Sequence, residues 1–258
     1  YNVSVVGFGD NVVDIYTHSN KQYPGGNCVN FAVYAKMFGA KRSAYMGYFG
    51  TDVNADHVIE ALHNEKIETV KCKKISGENG YSRCKLENGD RVFLDYNEGG
   101  VRSRHIYELD EFDIEYLKQF DLVHCGNYCY MESQLPKIKE ANIPLSFDFS
   151  DDSTEEYYMQ IAPLLHVGRG VTAIIGGGGK TTLMECLAEE LSAQARVIVC
   201  TTTHIYPEQN MPCLVSTSEA EIAAELARTR CVCVGSVSES GKSSAPELPF
   251  CTLCALAS

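Results

Sequence analysis

Aspartate is missing from the last 93 residues of this 258-residue chain, although the first 165 residues contain all 12. The same C-terminal stretch holds one of the 15 tyrosines, and the whole chain has no tryptophan. An abrupt shift of composition is typical of a module boundary. We therefore expect one domain over residues 1–165 and a second over residues 166–258.

Clusters of basic residues and long apolar runs are also missing. The net charge is −12, with 16 basic against 25 acidic residues before position 166 and 6 against 9 after it. This balance argues against nucleic-acid or anionic-membrane partners. No apolar run approaches the roughly 18 residues of a membrane span, and the N-terminus has no signal-peptide pattern. The absence of an initiator Met suggests trimming, and we expect a cytoplasmic protein.

The 12 cysteines lack the spacing of a secreted disulfide scaffold. Several lie in apolar runs, where a free cysteine behaves as a small hydrophobic residue. We expect reduced thiols in the core. Zinc or redox chemistry at the Cys251 and Cys254 pair is the alternative.

The first segment begins with an apolar strand that delivers polar residues. Val3 to Gly7 reads as this strand, and Gly9, Asp10, Asn11 and Asp14 follow it. Open α/β sheets bind ligands at such strand ends. Residues 24–30 then open a helix that is expected to run to Phe38, with Gly39 as its stop signal. Glycines, amides and carboxylates suit a hydroxyl-rich ligand such as a sugar, although each motif alone is ordinary turn chemistry.

Taken together, these motifs resemble the ribokinase-like (PfkB) carbohydrate kinases, and within them the fructoselysine 6-kinase group. The likeness rests on residues 9–16, 25–30, 47–52, 88–99 and 147–151. It implies an α/β fold with a ribokinase-like (Rossmann-like) parallel sheet, and a small β lid from residues near 15–23 and 81–96. Alternation on both sides of Asn88-Gly89 independently supports a lid hairpin.

The same resemblance implies a sugar or sugar-amine ligand and ATP with Mg²⁺. Four residues would form the sugar site by analogy: Asp14, Gly25, Gly26 and Asn30. A solvated carboxylate at a strand end is the alternative for Asp14.

The family's catalytic half has no counterpart in the printed sequence. The resemblance implies a Gly-Ala-Gly-Asp motif that supplies an anion-stabilising helix N-terminus and an Asp base, yet no Gly-x-Gly-Asp follows Leu165. Phosphoryl transfer depends almost wholly on positioning and charge stabilisation. We therefore assign no catalytic residue and expect impaired catalysis.

The second segment begins with a nucleotide-binding pattern. A predicted strand at 171–175 is followed by a run of four glycines at 176–179, the glycine run, and then by a helix. This order predicts a phosphate cradle for ATP or GTP, with Lys180 on the terminal phosphates and Thr181 on Mg²⁺. A glycine turn that only lets strand and helix pack is the alternative. The predicted nucleotide site comprises Gly176, Gly177, Gly178, Gly179, Lys180, Thr181 and Thr182.

The following elements are a strand at 197–200 ending in three threonines, a capping box at 218–221 with a helix to Arg228, and a strand at 231–235. With the glycine run they resemble the YqeC-type accessory proteins of selenium-dependent molybdenum hydroxylases. That resemblance implies nucleotide binding. It also implies an acidic strand end, which is absent from these 258 residues.

Three interpretations follow: a PfkB-type kinase for a fructosamine-like sugar, a YqeC-like nucleotide-binding accessory factor, and a gene fusion without selected activity. The strand at 171–175 is expected to pair onto the first sheet and form one hybrid sheet. Otherwise the unpaired sheet edge, or the lid, offers a surface for self-association.

Overall fold

The computed structural model describes residues 2–87, 90–150, 154–161, 164, 180–200, 211–215, 218–237, 243–244, 253 and 256–257. The chain divides into two compact units, one from residues 1–153 and 164–166 and the other from residues 154–163 and 167–258. The predicted strand at 171–175 and the Cys251/Cys254 pair lie outside the described residues. Among the described residues, no helix is both long and apolar enough to cross a bilayer.

Over its described residues, the first unit is built from ten strands and five α-helices. The strands are β1 (Ser4–Phe8), β2 (Val12–Tyr16), β3 (Lys21–Gly25), β4 (Arg42–Met46), β5 (Tyr48–Phe49), β6 (Lys73–Lys74), β7 (Gly80–Glu87), β8 (Asp90–Tyr96), β9 (Leu122–Gly126) and β10 (Leu145–Asp148). The helices are α1 (Asn27–Met37), α2 (Val53–Asn64), α3 (Val101–Arg104), α4 (Glu111–Leu117) and α5 (Leu135–Glu140), with 3₁₀ turns at Asn127–Cys129 and Glu132–Gln134.

A parallel sheet in the order β10-β9-β1-β4 forms the centre of this unit. Val5, Val6 and Phe8 of β1 are all buried, which is typical of an inner strand covered on both faces. The predicted α/β class and parallel sheet are confirmed. Helix α1 ends at Met37, within one residue of its expected end, and Gly39 follows with a φ of 93°.

A second sheet, in the order β3-β2-β7-β8, occupies the regions predicted for the lid. β2 runs antiparallel to β3 and parallel to β7, and β7 pairs antiparallel with β8. The register pairs Glu87 with Asp90, as the predicted hairpin requires, while Asn88 and Gly89 themselves lie outside the described residues.

The second unit contains a smaller parallel sheet in the order β11-β13-β12. Its strands are β11 (Val197–Val199), β12 (Cys213–Leu214), β13 (Cys231–Val234) and an antiparallel pair, β14 (Ser236–Val237) and β15 (Ser243–Ser244). Its helices are α6 (Glu155–Ile161), α7 (Lys180–Ser192) and α8 (Glu219–Thr229).

Helix α8 begins where the sequence predicts. The hydroxyl of Ser218 accepts a hydrogen bond from the N–H of Glu221 at 3.4 Å. Ile222 and Leu226 then pack into a core with Val232 and Val234 of β13. An amphipathic helix thus covers one face of the small sheet.

Candidate ligand site at the carboxyl edge of the first sheet

The carboxyl ends of four parallel strands meet at one edge of the first unit. β1, β4, β9 and β10 end at Phe8, Met46, Gly126 and Asp148. Ligands of open α/β sheets bind outside this edge, where polar residues can follow each strand without entering the core. The polar groups of the candidate site lie at or just beyond these strand ends.

Asp10, two residues beyond β1, holds the N-terminus of α1. Its Oδ2 accepts the N–H of Asn27 at 2.6 Å, and its Oδ1 accepts the N–H of Cys28 at 2.8 Å. A helix N-terminus leaves such N–H groups without partners inside the helix, and a carboxylate also complements the positive end of the helix dipole. Asp10 is 5% exposed, and Arg102 Nη1 lies 3.8 Å from its Oδ2.

Two glycines allow β1, its following loop and α1 to come this close. Gly26 has a φ of 100°, and a Cβ placed there would lie 2.8 Å from the Asn11 Cα. A Cβ on Gly7 would overlap the carbonyl oxygen of Cys28. Side chains at either position would therefore push the helix away from the strand.

Asn11 fixes the loop between the two sheets. Its Nδ2 donates to the Tyr45 hydroxyl at 2.8 Å and to the Tyr48 carbonyl at 2.7 Å, while the Tyr45 hydroxyl donates to the Gly9 carbonyl at 2.7 Å. Tyr45 is fully buried. The loop that carries Asp10 is therefore held from two strands at once.

Three of the four predicted sugar residues lie around this loop. A Cβ on Gly25 would lie 3.2 Å from Asp14 Oδ2, so the Asp14 carboxylate lies over the backbone of Gly25. Gly26 borders Asp10. The fourth predicted residue, Asn30, is exposed in the first turn of α1, and its N–H donates to the Gly26 carbonyl at 2.9 Å.

A chain of hydrogen bonds that the sequence analysis did not assign runs beside these residues. His124 of β9 contacts Ser146 Oγ through Nδ1 and Asn27 Oδ1 through Nε2, both at 2.8 Å. The Nδ2 of Asn27 donates to the Asp148 carboxylate. The ring of Phe31 stacks on the imidazole with its centroid 4.4 Å away.

Burial lowers the pKa of His124, against smaller opposing effects of Asp10 and Asp148. The neutral imidazole has one donor and one acceptor nitrogen. Because Asn27 gives its amide N–H to Asp148, its oxygen faces His124 and accepts the Nε2–H. The Nδ1 atom then accepts the Ser146 hydroxyl. Each hydrogen bond of the chain therefore donates in the direction that runs from Ser146 to Asp148.

These residues could have been found from one signal in the sequence. His124 is a polar side chain between the apolar residues Val123 and Cys125. A buried polar group requires a hydrogen-bond partner. The identity of that partner depends on the pairing of β9 with β10, and on the approach of α1, which local sequence patterns do not specify.

In the second unit, α7 begins at Lys180, directly after the glycine run. Thr181 is exposed and Thr182 is half-buried. Gly176, Gly177, Gly178 and Gly179, together with the Lys180 side chain, lie outside the described residues. The predicted phosphate cradle therefore stays a prediction.

Solved structures with this fold include sugar kinases. Ribokinase from Arabidopsis thaliana, complexed with ribose and ATP, superimposes with a TM-score of 0.52 at 16% identity, covering 62% of this chain and 58% of that one. A PfkB family carbohydrate kinase from Listeria grayi gives 0.52 at 16% identity, covering 63% and 58%. The fold is ribokinase-like, as the sequence predicts.

Residues 2–166 match the family model of the pfkB family carbohydrate kinases. The chain belongs to this family. Residues 172–256 match a second family model, that of the YqeC protein.

Two curated relatives are similar in sequence. Fructosamine kinase FrlD of Bacillus subtilis is 34% identical over 203 residues, which cover 78% of this chain and 69% of that protein. Fructoselysine 6-kinase of Escherichia coli is 31% identical over 157 residues, covering 61% of this chain and 59% of that protein. The chain thus spans about three fifths to two thirds of the length of these relatives.

The lowered pKa of His124 predicts a pH-dependent stability. Since the folded-state pKa lies below the ordinary value of 6.5, the unfolded chain takes up the proton first. The neutral imidazole contributes fully to the free energy of unfolding above the ordinary pKa of 6.5. This contribution declines as the pH falls below 6.5 toward the lower folded-state pKa. We expect His124→Gln to lose less stability than the wild type between about pH 7 and pH 5, measured by urea unfolding.

His63→Gln is the matched control, because His63 is exposed at the end of α2. This variant should follow the wild-type pH dependence. Equal pH dependence in the wild type and in His124→Gln would contradict the proposed neutral imidazole.

Proposed function

We propose that the first unit binds the sugar part of a fructosamine-like sugar amine, with ATP and Mg²⁺ as the family's phosphoryl donor. The observation that carries this proposal is the arrangement of Asp14 and the Asn27–Asp148 pair around the loop after β1. Carboxylates accept hydrogen bonds from sugar hydroxyls, and the Asn27 amide, which donates one N–H to Asp148, has a second N–H donor. The names of the two curated relatives, a fructosamine kinase and a fructoselysine kinase, support the choice of ligand.

Features of the lid sheet favour a ligand that is larger than a simple sugar. The register pairs Asp14 with Tyr23 and with Ser82, so these residues share one face of the lid sheet. A groove next to them is lined by Tyr16, His18, Ser19, Lys21, Tyr23 and Leu86. Lys21 would attract a carboxylate there, and we propose that the amine part of the ligand is an amino acid.

We further propose that a polypeptide of these 258 residues does not transfer the phosphoryl group by itself. The part of the family that would supply the Asp base and the anion-stabilising helix is not in the printed sequence. These 258 residues would thus bind the sugar without catalysing its phosphorylation. A fusion without selected activity is the alternative, supported by two family matches that meet between residues 166 and 172.

A second candidate function is nucleotide binding by the second unit. Two observations favour it: the match to the YqeC family model, and the start of α7 immediately after four glycines. Backbone N–H groups of such a loop and helix N-terminus attract phosphate. In this interpretation the chain is an accessory factor with a sugar-kinase-like domain.

The first prediction from this proposal concerns turnover. With fructoselysine and Mg-ATP, we expect no ADP release above background in a coupled assay, because the groups that stabilise the transferring phosphoryl are lacking. Bacillus subtilis FrlD serves as the positive control for the assay. Turnover in the range of about 1–10³ s⁻¹ would contradict the proposed loss of catalysis.

The second prediction concerns sugar binding. We expect fructoselysine to bind with a dissociation constant on the order of millimolar, because part of the site is lacking and binding must still offset the loss of ligand freedom. Free fructose should bind more weakly. Titration calorimetry measures both, and Asp14→Asn should abolish the heat signal.

Asp95→Asn is the matched control for Asp14→Asn. Asp95 lies in the same lid sheet, pairs with Arg83, and is one residue from Tyr96, which is opposite Ser82. Since neighbouring residues of a strand point to opposite faces, Asp95 lies on the other side of the lid. Equal loss of binding in both variants would contradict a role for the Asp14 face.

The third prediction concerns the nucleotide. Mg-ATP at about a hundred times its dissociation constant should stabilise the fold by roughly 2.7 kcal/mol and raise the melting temperature. Lys180→Ala should remove this shift, while Asp14→Ala and Arg196→Ala, an exposed cation beyond the end of α7, should retain it. An unchanged wild-type melting temperature with Mg-ATP, Mg-GTP and Mg-ADP would identify the glycine run as a packing turn.

A further inference from the structure

Three side chains with metal-binding atoms lie together beneath the candidate sugar site. They are Asp10, Cys28 and Cys129, and the last two are completely buried. One ligand atom from each lies within 4.8 Å of the others. They come from three separate segments: the loop after β1, the first turn of α1 and the 3₁₀ turn after β9.

The distances between these atoms suit a small cation. Cys28 Sγ and Cys129 Sγ are 3.4 Å apart, and Cys129 Sγ is 3.5 Å from Asp10 Oδ1. In a tetrahedral zinc site, metal–ligand bonds of about 2.3 Å to sulfur and about 2.0 Å to oxygen place two sulfur atoms about 3.8 Å apart and sulfur and oxygen about 3.5 Å apart. The distance from Cys129 Sγ to Asp10 Oδ1 already fits this geometry, and the sulfur–sulfur distance would widen by a few tenths of an ångström.

We propose that Asp10, Cys28 and Cys129 bind one thiophilic divalent cation of the zinc type. Thiolate sulfur favours such soft ions over Mg²⁺ or Ca²⁺, which prefer ligand sets made only of oxygen. The Phe8 carbonyl oxygen, 3.3 Å from Cys28 Sγ, is a neutral donor close to the same sulfur. This site is independent of the proposed sugar function.

The charges of the site balance when the ion is bound. Two thiols each lose a proton to solvent, so the two thiolates and the Asp10 carboxylate carry three negative charges. The divalent ion and the Arg102 guanidinium carry three positive charges, and Arg102 Nη1 is 3.8 Å from Asp10 Oδ2. A buried site with no net charge avoids the desolvation cost of an unpaired ion.

At Asp10, the metal can replace one existing hydrogen-bond partner while the other is retained. Asp10 Oδ1 accepts the N–H of Cys28 and the thiol of Cys129. When that thiol is deprotonated, the lone pair that accepted it becomes available to the metal, and the N–H bond that holds α1 is retained. The ion would thus join β1, α1 and the 3₁₀ turn without releasing the helix.

The test uses the full chain, purified under reducing conditions and titrated with Zn²⁺ or Cd²⁺. We expect one ion per chain at this site, a thiolate-to-metal charge-transfer band with Cd²⁺ and a higher melting temperature with Zn²⁺. Cys28→Ser and Cys129→Ser should each lose that band and that shift. Cys84→Ser, which changes a buried cysteine of the lid strand β7, should keep both.

X-ray absorption at the zinc edge tests the proposal on the wild-type protein, and so does not depend on whether the serine variants fold. In the wild type it should show two sulfur neighbours at about 2.3 Å together with oxygen neighbours. A shell without sulfur, a shell of four sulfur atoms or an unchanged melting temperature would overturn the proposal. A Cys28–Cys129 disulfide in metal-free protein that has not been exposed to oxidant would overturn it as well.

Discussion

The site depends on one interaction: the buried carboxylate of Asp10 accepts the first two N–H groups of α1. An unpaired buried carboxylate would be costly, and so would helix N–H groups without acceptors. Each group therefore satisfies the other, and Arg102 balances the remaining charge from 3.8 Å. The pairing fixes the start of α1, and through it the position of Asn27.

The position of Asn27 in turn orders a second layer of the site. Its amide lies between a neutral imidazole and a carboxylate, and each neighbour accepts one orientation of the amide only. Phe31, one turn further along α1, covers the imidazole. The helix therefore supplies both the polar contact and the apolar cover that keeps His124 uncharged, which explains why a polar residue can occupy an inner strand.

Local sequence patterns predicted the elements of this site better than their contacts. The apolar run of β1, the glycine stop after α1 and the lid hairpin follow from periodicity and turn chemistry. Asp14, Gly25 and Gly26 were identified by resemblance, and they lie around the loop after β1. The His124–Asn27–Asp148 chain was missed because its members come from three segments separated by up to 121 residues. Only the order of the parallel strands brings them together.

The close approach at Gly7 and Gly26 has a consequence for how ligand preference can change. The floor of the site has no spare volume, since a single added methyl group at either glycine would displace α1 and every group that the helix positions. The lid is different, because Tyr23 and Tyr96 project from a single sheet and are 48% and 68% exposed. We therefore expect exchanges of side chains to be tolerated on the lid strands, while the floor of the candidate site tolerates almost no variation.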